Sequence, residues 1–260
     1  MTEFNGEPAE VDQLRTLALT NYGHFTSMLV DNSRVRGLVL HMERLSRDCR
    51  RLFGVDLDLD RVRYLVGHAL LDVNQPIVVR VTVFDPHIEL GRPGTDADPG
   101  ILVTTRPAAH ASTPPMRLQS AAYCREMPEV KHVGLFRAVS HRRAAQLNGY
   151  DDAVFTDQSG NLSEAATTNV GFVDGDRIVW PKADILAGVT MALLSEAHAG
   201  ATATEPVNLG QLGDLTAAFA TNAVVGVRAI SAIDNTTWAG DHPMIDTLRR
   251  EYLEIRPEPL

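Results

Sequence analysis

Lysine is rare in this chain of 260 residues, and arginine carries nearly all of its positive charge. The two lysines are Lys131 and Lys182. An arginine keeps its proton at any working pH, whereas a lysine amine can lose its proton and then attack a carbonyl carbon. Rarity alone does not distinguish a nucleophilic lysine from a surface cation, because both lysines are equally rare. The residues that accompany each lysine must make the distinction.

Three stretches downstream of Lys131 contain groups that would complement such an amine. Glu164 lies in "NLSEAATTNVGFV" among small and apolar residues, where a carboxylate needs a cation or a protonated ring nitrogen. In "ILAGVTMALL", Val189 and Thr190 open an apolar helix, whose free N–H groups and dipole form an anion site. "FATNAVVG" places Thr221 and Asn222 at a strand end. Pyridoxal phosphate requires such an imine partner, a pyridinium counter-charge and a phosphate site.

The elements that must position these residues follow from the hydrophobic periodicity. Apolar residues at steps of three and four predict helices, and β-branched or alternating runs predict strands. The predicted helices are residues 38–53, 57–73, 134–148, 189–198 and 243–255. The predicted strands are residues 76–85, 101–107, 153–157, 162–165, 169–173, 177–181, 217–221 and 225–233. "QSGN" and "DGD" are typical hairpin turns. Hairpin-linked strands without regular βαβ alternation indicate an α+β fold.

Two domains are expected from the length of the chain and from one change in its amino-acid composition. The stretch "RPAAHASTPPMRLQS" is rich in proline, which favours a junction near residues 108–118. We therefore assign residues 1–112 to a small N-terminal domain and residues 113–260 to a larger C-terminal domain.

Composition excludes several classes of function. A net charge of -9 opposes binding to nucleic acid. No apolar run is long enough for a membrane span, and the first residues lack signal-peptide features. The two cysteines, Cys49 and Cys124, fit a reducing compartment and are expected in the core, so a cytoplasmic location is predicted. There is no metal-binding spacing of Cys and His, and no glycine-rich nucleotide-binding loop.

Five blocks in order, from about Gly23 to Ile233, resemble the fold-type IV pyridoxal phosphate enzymes, the class IV aminotransferase family. The family includes branched-chain and D-amino acid aminotransferases and aminodeoxychorismate lyase. The resemblance implies a D-amino acid aminotransferase-like fold with a small N-terminal α/β domain and a larger C-terminal domain, barrel-like and carrying helices. It also implies pyridoxal 5'-phosphate as the cofactor, an amino donor and a keto acid acceptor as substrates, and a homodimer.

The resemblance assigns roles to particular residues. "VKHVGL" is similar to the Schiff-base segment, so Lys131 would bind the cofactor aldehyde and act as the catalytic base. "HMERL" matches the H-x-x-R-L motif, in which the arginine binds phosphate, and "LAGVT" and "TNAVV" resemble phosphate-side segments. Glu164 would pair with the pyridine nitrogen. The cofactor-binding residues so implied are Arg44, Lys131, Glu164, Asn169, Val189, Thr190, Asn222 and Ala223.

Departures from the family pattern leave the reaction open. Phe136 stands where branched-chain aminotransferases have a tyrosine, and Thr26 replaces a glutamate, as in the lyase members. The substrate-carboxylate arginine is not evident, since Asp85 stands there, and Arg80 and Arg92 are weak substitutes. Transamination of an amino acid or amine is the main hypothesis. Lyase-type β-elimination releasing pyruvate and a non-catalytic, pyridoxal-binding protein are the alternatives.

Overall fold

The computed structural model describes residues 1–71, 73, 75–108 and 114–260. Its strands are β1 (Thr2–Phe4), β2 (Glu7–Pro8), β3 (His24–Val30), β4 (Arg34–Val35), β5 (Ile77–Phe84), β6 (Gly100–Pro107), β7 (Met116–Ala122), β8 (Asp152–Thr156), β9 (Leu162–Ala165), β10 (Asn169–Asp174), β11 (Arg177–Pro181), β12 (Thr202–Glu205), β13 (Ala217–Asn222), β14 (Gly226–Ile233), β15 (Thr236–Thr237) and β16 (Glu258–Pro259). Its helices are α1 (Val11–Thr20), α2 (Leu38–Phe53), α3 (Leu59–His68), α4 (Phe136–Leu147), α5 (Val189–Ala197) and α6 (Pro243–Glu254), with a 3₁₀ helix at Leu209–Asp214.

The chain forms two compact units. The first comprises Met1–Ala109, Val130–Gly134 and Pro257–Leu260, and the second comprises His110–Glu129 and Leu135–Arg256. The domain boundary predicted between residues 112 and 113 lies outside the described residues. The short segment that contains Lys131 belongs to the first unit.

The first unit is built on an antiparallel five-stranded sheet in the order β2-β1-β6-β5-β3. Because side chains alternate along a strand, one face of β3 and β5 packs against α2 and α3, and the other face is separate from this core. Met28, Val79 and Val81 lie on the helix-covered face and are fully buried. Phe25 and Arg80 belong to the opposite face, because their neighbours along each strand face the helices.

Helix α2 spans Leu38–Phe53, as predicted, and it carries residues that matter for the site. Its apolar positions recur every three or four residues, so Leu38, Leu45 and Cys49 lie in one buried stripe against the sheet. Gly54 ends the helix at a positive φ of 71°, a conformation that glycine adopts without steric cost, and its N–H bonds to the Arg50 carbonyl at 3.0 Å. Register and orientation of α2 are therefore well defined.

The second unit is built on a closed six-stranded barrel. The strands follow the order β10-β13-β14-β7-β8-β9, and β9 pairs again with β10. The pair that closes the ring is Asn169 with Glu164. Strands β11 and β12 extend the sheet outward from β10. An apolar core of alternating side chains, including Leu118, Phe172 and Ile230, fills the interior.

Most predicted elements are confirmed, with small shifts at their ends. Asp58 caps α3 by accepting the Arg61 N–H at 2.9 Å, and the helix ends at His68 and not at residue 73. The expectation for the cysteines is half wrong: Cys49 is buried, whereas Cys124 is exposed in the loop after β7. No helix within the described residues combines the length and apolarity that a bilayer span requires.

Candidate active site

The backbone of Lys131 is held from two directions in the first unit. The N–H of Phe25 in β3 donates to the Lys131 carbonyl at 2.9 Å, and Val133 N–H donates to the Gly23 carbonyl at 2.9 Å. The Lys131 N–H donates instead to the carboxylate of Asp48, at 2.9 Å from Oδ2. Both backbone polar groups of the predicted catalytic lysine are therefore engaged.

The Lys131 side chain shares an aromatic ring with a second cation. Its Nζ lies 4.9 Å from the centre of the Phe25 ring, and the Arg80 guanidinium carbon lies 3.6 Å from the same centre. Arg80 Nε donates to Thr82 Oγ1 at 3.2 Å, and burial lowers the pKa of this guanidinium. The amine and the guanidinium can lie no further apart than the sum of their two distances to the ring. Arg80 therefore lies close enough to Lys131 for one small molecule to contact both side chains.

Arg44 and His41 face the same part of the first unit from α2. Both are buried, and His41 Nδ1 lies 2.7 Å from Thr26 Oγ1. The pKa of His41 is lowered to about 3. Burial is the largest cause, and the positive charges of Arg44 and Lys131 add to it. His41 is therefore neutral at physiological pH, and the two cations near it create a region that favours an anion. The phosphate-binding role of Arg44 stays a prediction.

Glu164 lies in the second unit at the strand pair that closes the barrel. Its carboxylate is buried, and Oε1 is 3.5 Å from Arg125 Nη1 and 3.4 Å from the Leu186 N–H nitrogen. The Arg125 side chain is itself only 8% exposed, so a buried cation compensates the buried carboxylate. The requirement for a positive partner, inferred from the sequence, is met in part by an arginine that the sequence did not single out.

The predicted phosphate residues of the second unit lie around the start of α5. Asn169 Nδ2 donates to the Leu186 carbonyl at 2.8 Å, and any side chain at Gly188 would collide with the Asn169 carboxamide. Val189 and Thr190 are the first two residues of the helix. The packing of Asn169 against Gly188 thus fixes where the helix begins.

Buried hydroxyl groups in this region fit a phosphate. Thr190 and Thr221 are each 1% exposed, and neither hydroxyl has a hydrogen-bond partner within the described part of the chain. Asn169 pairs with Thr221 across β10 and β13, so both threonines lie near the same asparagine. An unpaired buried hydroxyl costs free energy, which a bound anion would recover. The residues present therefore fit the phosphate of the cofactor.

Asn222 is the last residue of β13, and Ala223 follows it. Asn222 Oδ1 accepts the N–H groups of Val224 and Val225, both at 2.9 Å, and its Nδ2 donates to the Thr167 carbonyl at 3.3 Å. The side chain thus stabilises the β13–β14 turn. Ala223 lies within that turn, where its backbone is the group it can offer.

The remaining substrate-side candidates are separated by their exposure. Arg92 is exposed, whereas Arg80 is partly buried. Asp85, at the position where relatives have an arginine, is buried and accepts the N–H groups of His87 at 2.8 Å and Asp98 at 3.1 Å. It therefore fixes the following loop, and Arg80 is the favoured candidate for a substrate carboxylate.

Sequence reasoning missed Asp48 and Arg125. A signal existed for Asp48, since it falls three residues after Leu45, within the apolar stripe of α2, where a charge needs a specific partner. No comparable signal marks Arg125, which lies in an irregular loop. Among the described residues, no group of three or more His, Cys, Asp and Glu side chains could hold a metal ion.

Two buried histidines predict a loss of stability in acid. The pKa of His24 is lowered to about 3 by burial and by the charge of Arg47, and the pKa of His41 is lowered to a similar value. The unfolded chain takes up protons on these histidines below about pH 6.5, whereas the native chain does not. The free energy of unfolding should therefore fall as the pH drops from about 6.5 to 5, by about 2 kcal/mol for each histidine.

Urea unfolding at several pH values tests this expectation. His24→Leu should flatten the pH dependence, because it removes a residue that takes up a proton only in the unfolded chain. An identical slope in His24→Leu and the parent chain would contradict the buried neutral state.

Comparison with known proteins agrees with the fold. The family model for amino-transferase class IV matches residues 23–233, so the chain belongs to this family. The predicted family, enzyme class and fold type are thereby confirmed.

Individual relatives cover nearly the whole chain. A protein of Rickettsia bellii, assigned as a branched-chain-amino-acid aminotransferase, is 26% identical over 273 residues, covering 96% of this chain and 94% of its own. The PLP-bound form of a hypothetical aminotransferase from Mycobacterium tuberculosis superposes with a TM-score of 0.82 at 16% identity, over 97% of each chain. A Legionella pneumophila protein assigned as a 4-amino-4-deoxychorismate lyase gives 0.81 at 21% identity, over 96% of each.

Proposed function

We propose that this aminotransferase transfers an amino group from an amino acid to a keto acid with pyridoxal 5'-phosphate bound to Lys131. The observation that carries the proposal is the setting of Lys131: a lysine with both backbone groups held, beside Arg44, His41 and Arg80. The cofactor is further supported by the PLP-bound form of the Mycobacterium tuberculosis protein.

Each proposed role follows from the chemistry of the residue. When bound, the cofactor supplies an aldehyde that joins amines and a ring that accepts electron density from the substrate α-carbon. Lys131 would hold the cofactor through its amine, and the free amine would move the proton at the substrate α-carbon. The Glu164 carboxylate would favour a proton on the ring nitrogen.

The remaining residues of the proposed site bind anions or orient them. In the second unit, the Thr190 hydroxyl and the backbone N–H groups at Val189, Thr190 and Ala223 would bind the phosphate. The family resemblance gives Arg44 of the first unit a phosphate-binding role as well. Asn169 and Asn222 act by stabilising the loops that carry those groups, because their side-chain amides bond to the Leu186 and Thr167 carbonyls.

Arg80 is the proposed partner of the substrate carboxylate. Among the residues that the structure describes, no carboxylate lies within ion-pair distance of its guanidinium. A partly buried arginine without an acidic partner has donor capacity for an anion, and its two terminal nitrogens can bind a carboxylate in a bidentate manner. The shared Phe25 ring keeps this group near the amine of Lys131.

The second candidate function is lyase-type β-elimination that releases pyruvate from aminodeoxychorismate. It is favoured by the Legionella pneumophila structure, which matches this chain over 96% of both lengths, and by Thr26. In the structure the Thr26 hydroxyl is buried and bonded to His41, so it also has a local structural partner.

A product assay distinguishes these functions. Purified protein loaded with the cofactor is incubated with a panel of amino acids and a keto acid acceptor, and both products are quantified. Formation of the matching keto acid and new amino acid supports transamination. Pyruvate from aminodeoxychorismate without an acceptor supports the lyase reaction. A lysine-linked cofactor with neither product would instead support the non-catalytic alternative and overturn the proposal.

The resemblance also supports a homodimer, and the low cysteine content is compatible with a reducing cytoplasm. We propose both for this protein. Light scattering of the purified chain tests the first, and fractionation of the source cells tests the second.

A further inference from the structure

Asp48 is a fully buried carboxylate that contacts the backbone of Lys131. Its Oδ2 accepts the Lys131 N–H at 2.9 Å. Its Oδ1 accepts two hydrogen bonds from Arg47, from Nη2 at 2.8 Å and from Nε at 3.1 Å. A buried carboxylate is stable only when it is paired and hydrogen-bonded, and here each oxygen has a donor.

The hydrogen bond from Lys131 to Asp48 limits how far the Lys131 segment pairs with β3. The segment pairs with β3 through the Lys131 carbonyl and the Val133 N–H, but the Lys131 N–H turns to Asp48. The backbone at Lys131 is thus held by a strand on one side and by helix α2 on the other. Only the side-chain torsions of the lysine remain adjustable.

Helix α2 also carries Arg44, one turn before Asp48. Residues four apart lie on the same face of a helix. Arg44, the proposed phosphate ligand, and Asp48, which accepts the Lys131 N–H, are therefore held by the same helix. Because α2 is fixed by its own buried stripe, any displacement of Lys131 relative to Arg44 must break the bond to Asp48.

We propose that Asp48 is a positioning residue, whose carboxylate fixes the backbone of Lys131 relative to Arg44 so that the amine meets the cofactor aldehyde. The inference rests on the proposed function, because it deepens the role given there to Lys131. The guanidinium of Arg47 compensates the negative charge of Asp48 and hydrogen-bonds to its Oδ1.

The first test needs no cofactor. Amide hydrogen exchange at Lys131 is measured by NMR in the parent chain and in Asp48→Ala, Asp48→Asn and Leu45→Ala. Loss of a hydrogen bond to a charged group should speed exchange at Lys131 by about 10-fold to 100-fold in Asp48→Ala. Asp48→Asn keeps one acceptor but loses the charge, so its exchange rate should fall between those of the parent and Asp48→Ala. Leu45→Ala lies on the same helix and reports the effect of destabilisation alone.

The second test uses the cofactor. The rate at which borohydride traps pyridoxal phosphate on Lys131 is followed by peptide mass analysis, together with the pH titration of the bound cofactor's absorbance. Asp48→Ala should slow trapping by about tenfold or more and shift the titration midpoint. Asp48→Asn should have a smaller effect, and Leu45→Ala should resemble the parent. If Asp48→Ala does not fold, it is replaced by Asp48→Ser, whose side chain is too short to reach the Lys131 N–H. The same criteria then apply.

The outcomes separate this inference from the proposed function. If the parent chain forms no trapped bond at Lys131, the proposed function fails, and the exchange data still judge the contact with Asp48. If the parent forms the bond and Asp48→Ala forms it at the same rate, the positioning role is overturned and the function stands. Equal exchange in Asp48→Ala and Leu45→Ala also overturns the role.

Discussion

Replacing Lys131 with alanine should lower amino-group transfer by about 10³-fold or more, because one residue supplies both the covalent attachment and the proton transfer. The variant should still bind pyridoxal phosphate through the anion-binding residues, but borohydride should trap no adduct. Turnover and peptide mass analysis measure the two effects.

Lys182 provides a matched control for Lys131. It is the other lysine of the chain, and it is exposed at the surface. Lys182→Ala should keep parental activity and a trapped adduct at residue 131. A parental rate in Lys131→Ala, or an adduct at Lys182, would contradict the assignment.

Replacing Arg80 with methionine should lower kcat/KM for amino acids by about 100-fold. Methionine can keep the contact with Phe25 but cannot bind a carboxylate, and each hydrogen bond between charged groups contributes about 1.5–3 kcal/mol. Amines that lack a carboxylate should lose much less, which separates recognition from damage to the fold. Steady-state kinetics on matched pairs of amino acid and amine measure the difference.

Arg92 is the control for this second expectation, because it is exposed in the loop between β5 and β6. Arg92→Met should leave both substrate classes unchanged. Equal losses for amino acids and amines in Arg80→Met would show that Arg80 stabilises the sheet and does not select the substrate.

Local patterns in the sequence were sufficient to predict much of the fold. Helix α2 was predicted with its observed ends because its apolar residues recur regularly at steps of three and four. The hairpin of β10 and β11 was predicted because "DGD" has the chemistry of a tight turn. The end of α3 was placed five residues too late, because the apolar pattern continues after the helix ends at His68.

Contacts between segments distant in the chain could not be predicted in the same way. Asp48 and Lys131 are 83 residues apart, and nothing local to either residue specifies their hydrogen bond. The pairing of Arg125 with Glu164 likewise depends on a loop that meets the closing strands of the barrel. Arg80 looked like a weak candidate until the register of β3 and β5 placed its guanidinium on Phe25.

The sequence by itself determined the types of reactive group, the order of the family blocks and most of the elements that carry them, since these depend on neighbouring residues. Only the tertiary structure decided which charges are buried, which partners compensate them and which arginine lies near the lysine amine. Burial and pairing are properties of several segments at once, and the free energy of a buried charge depends on all of them.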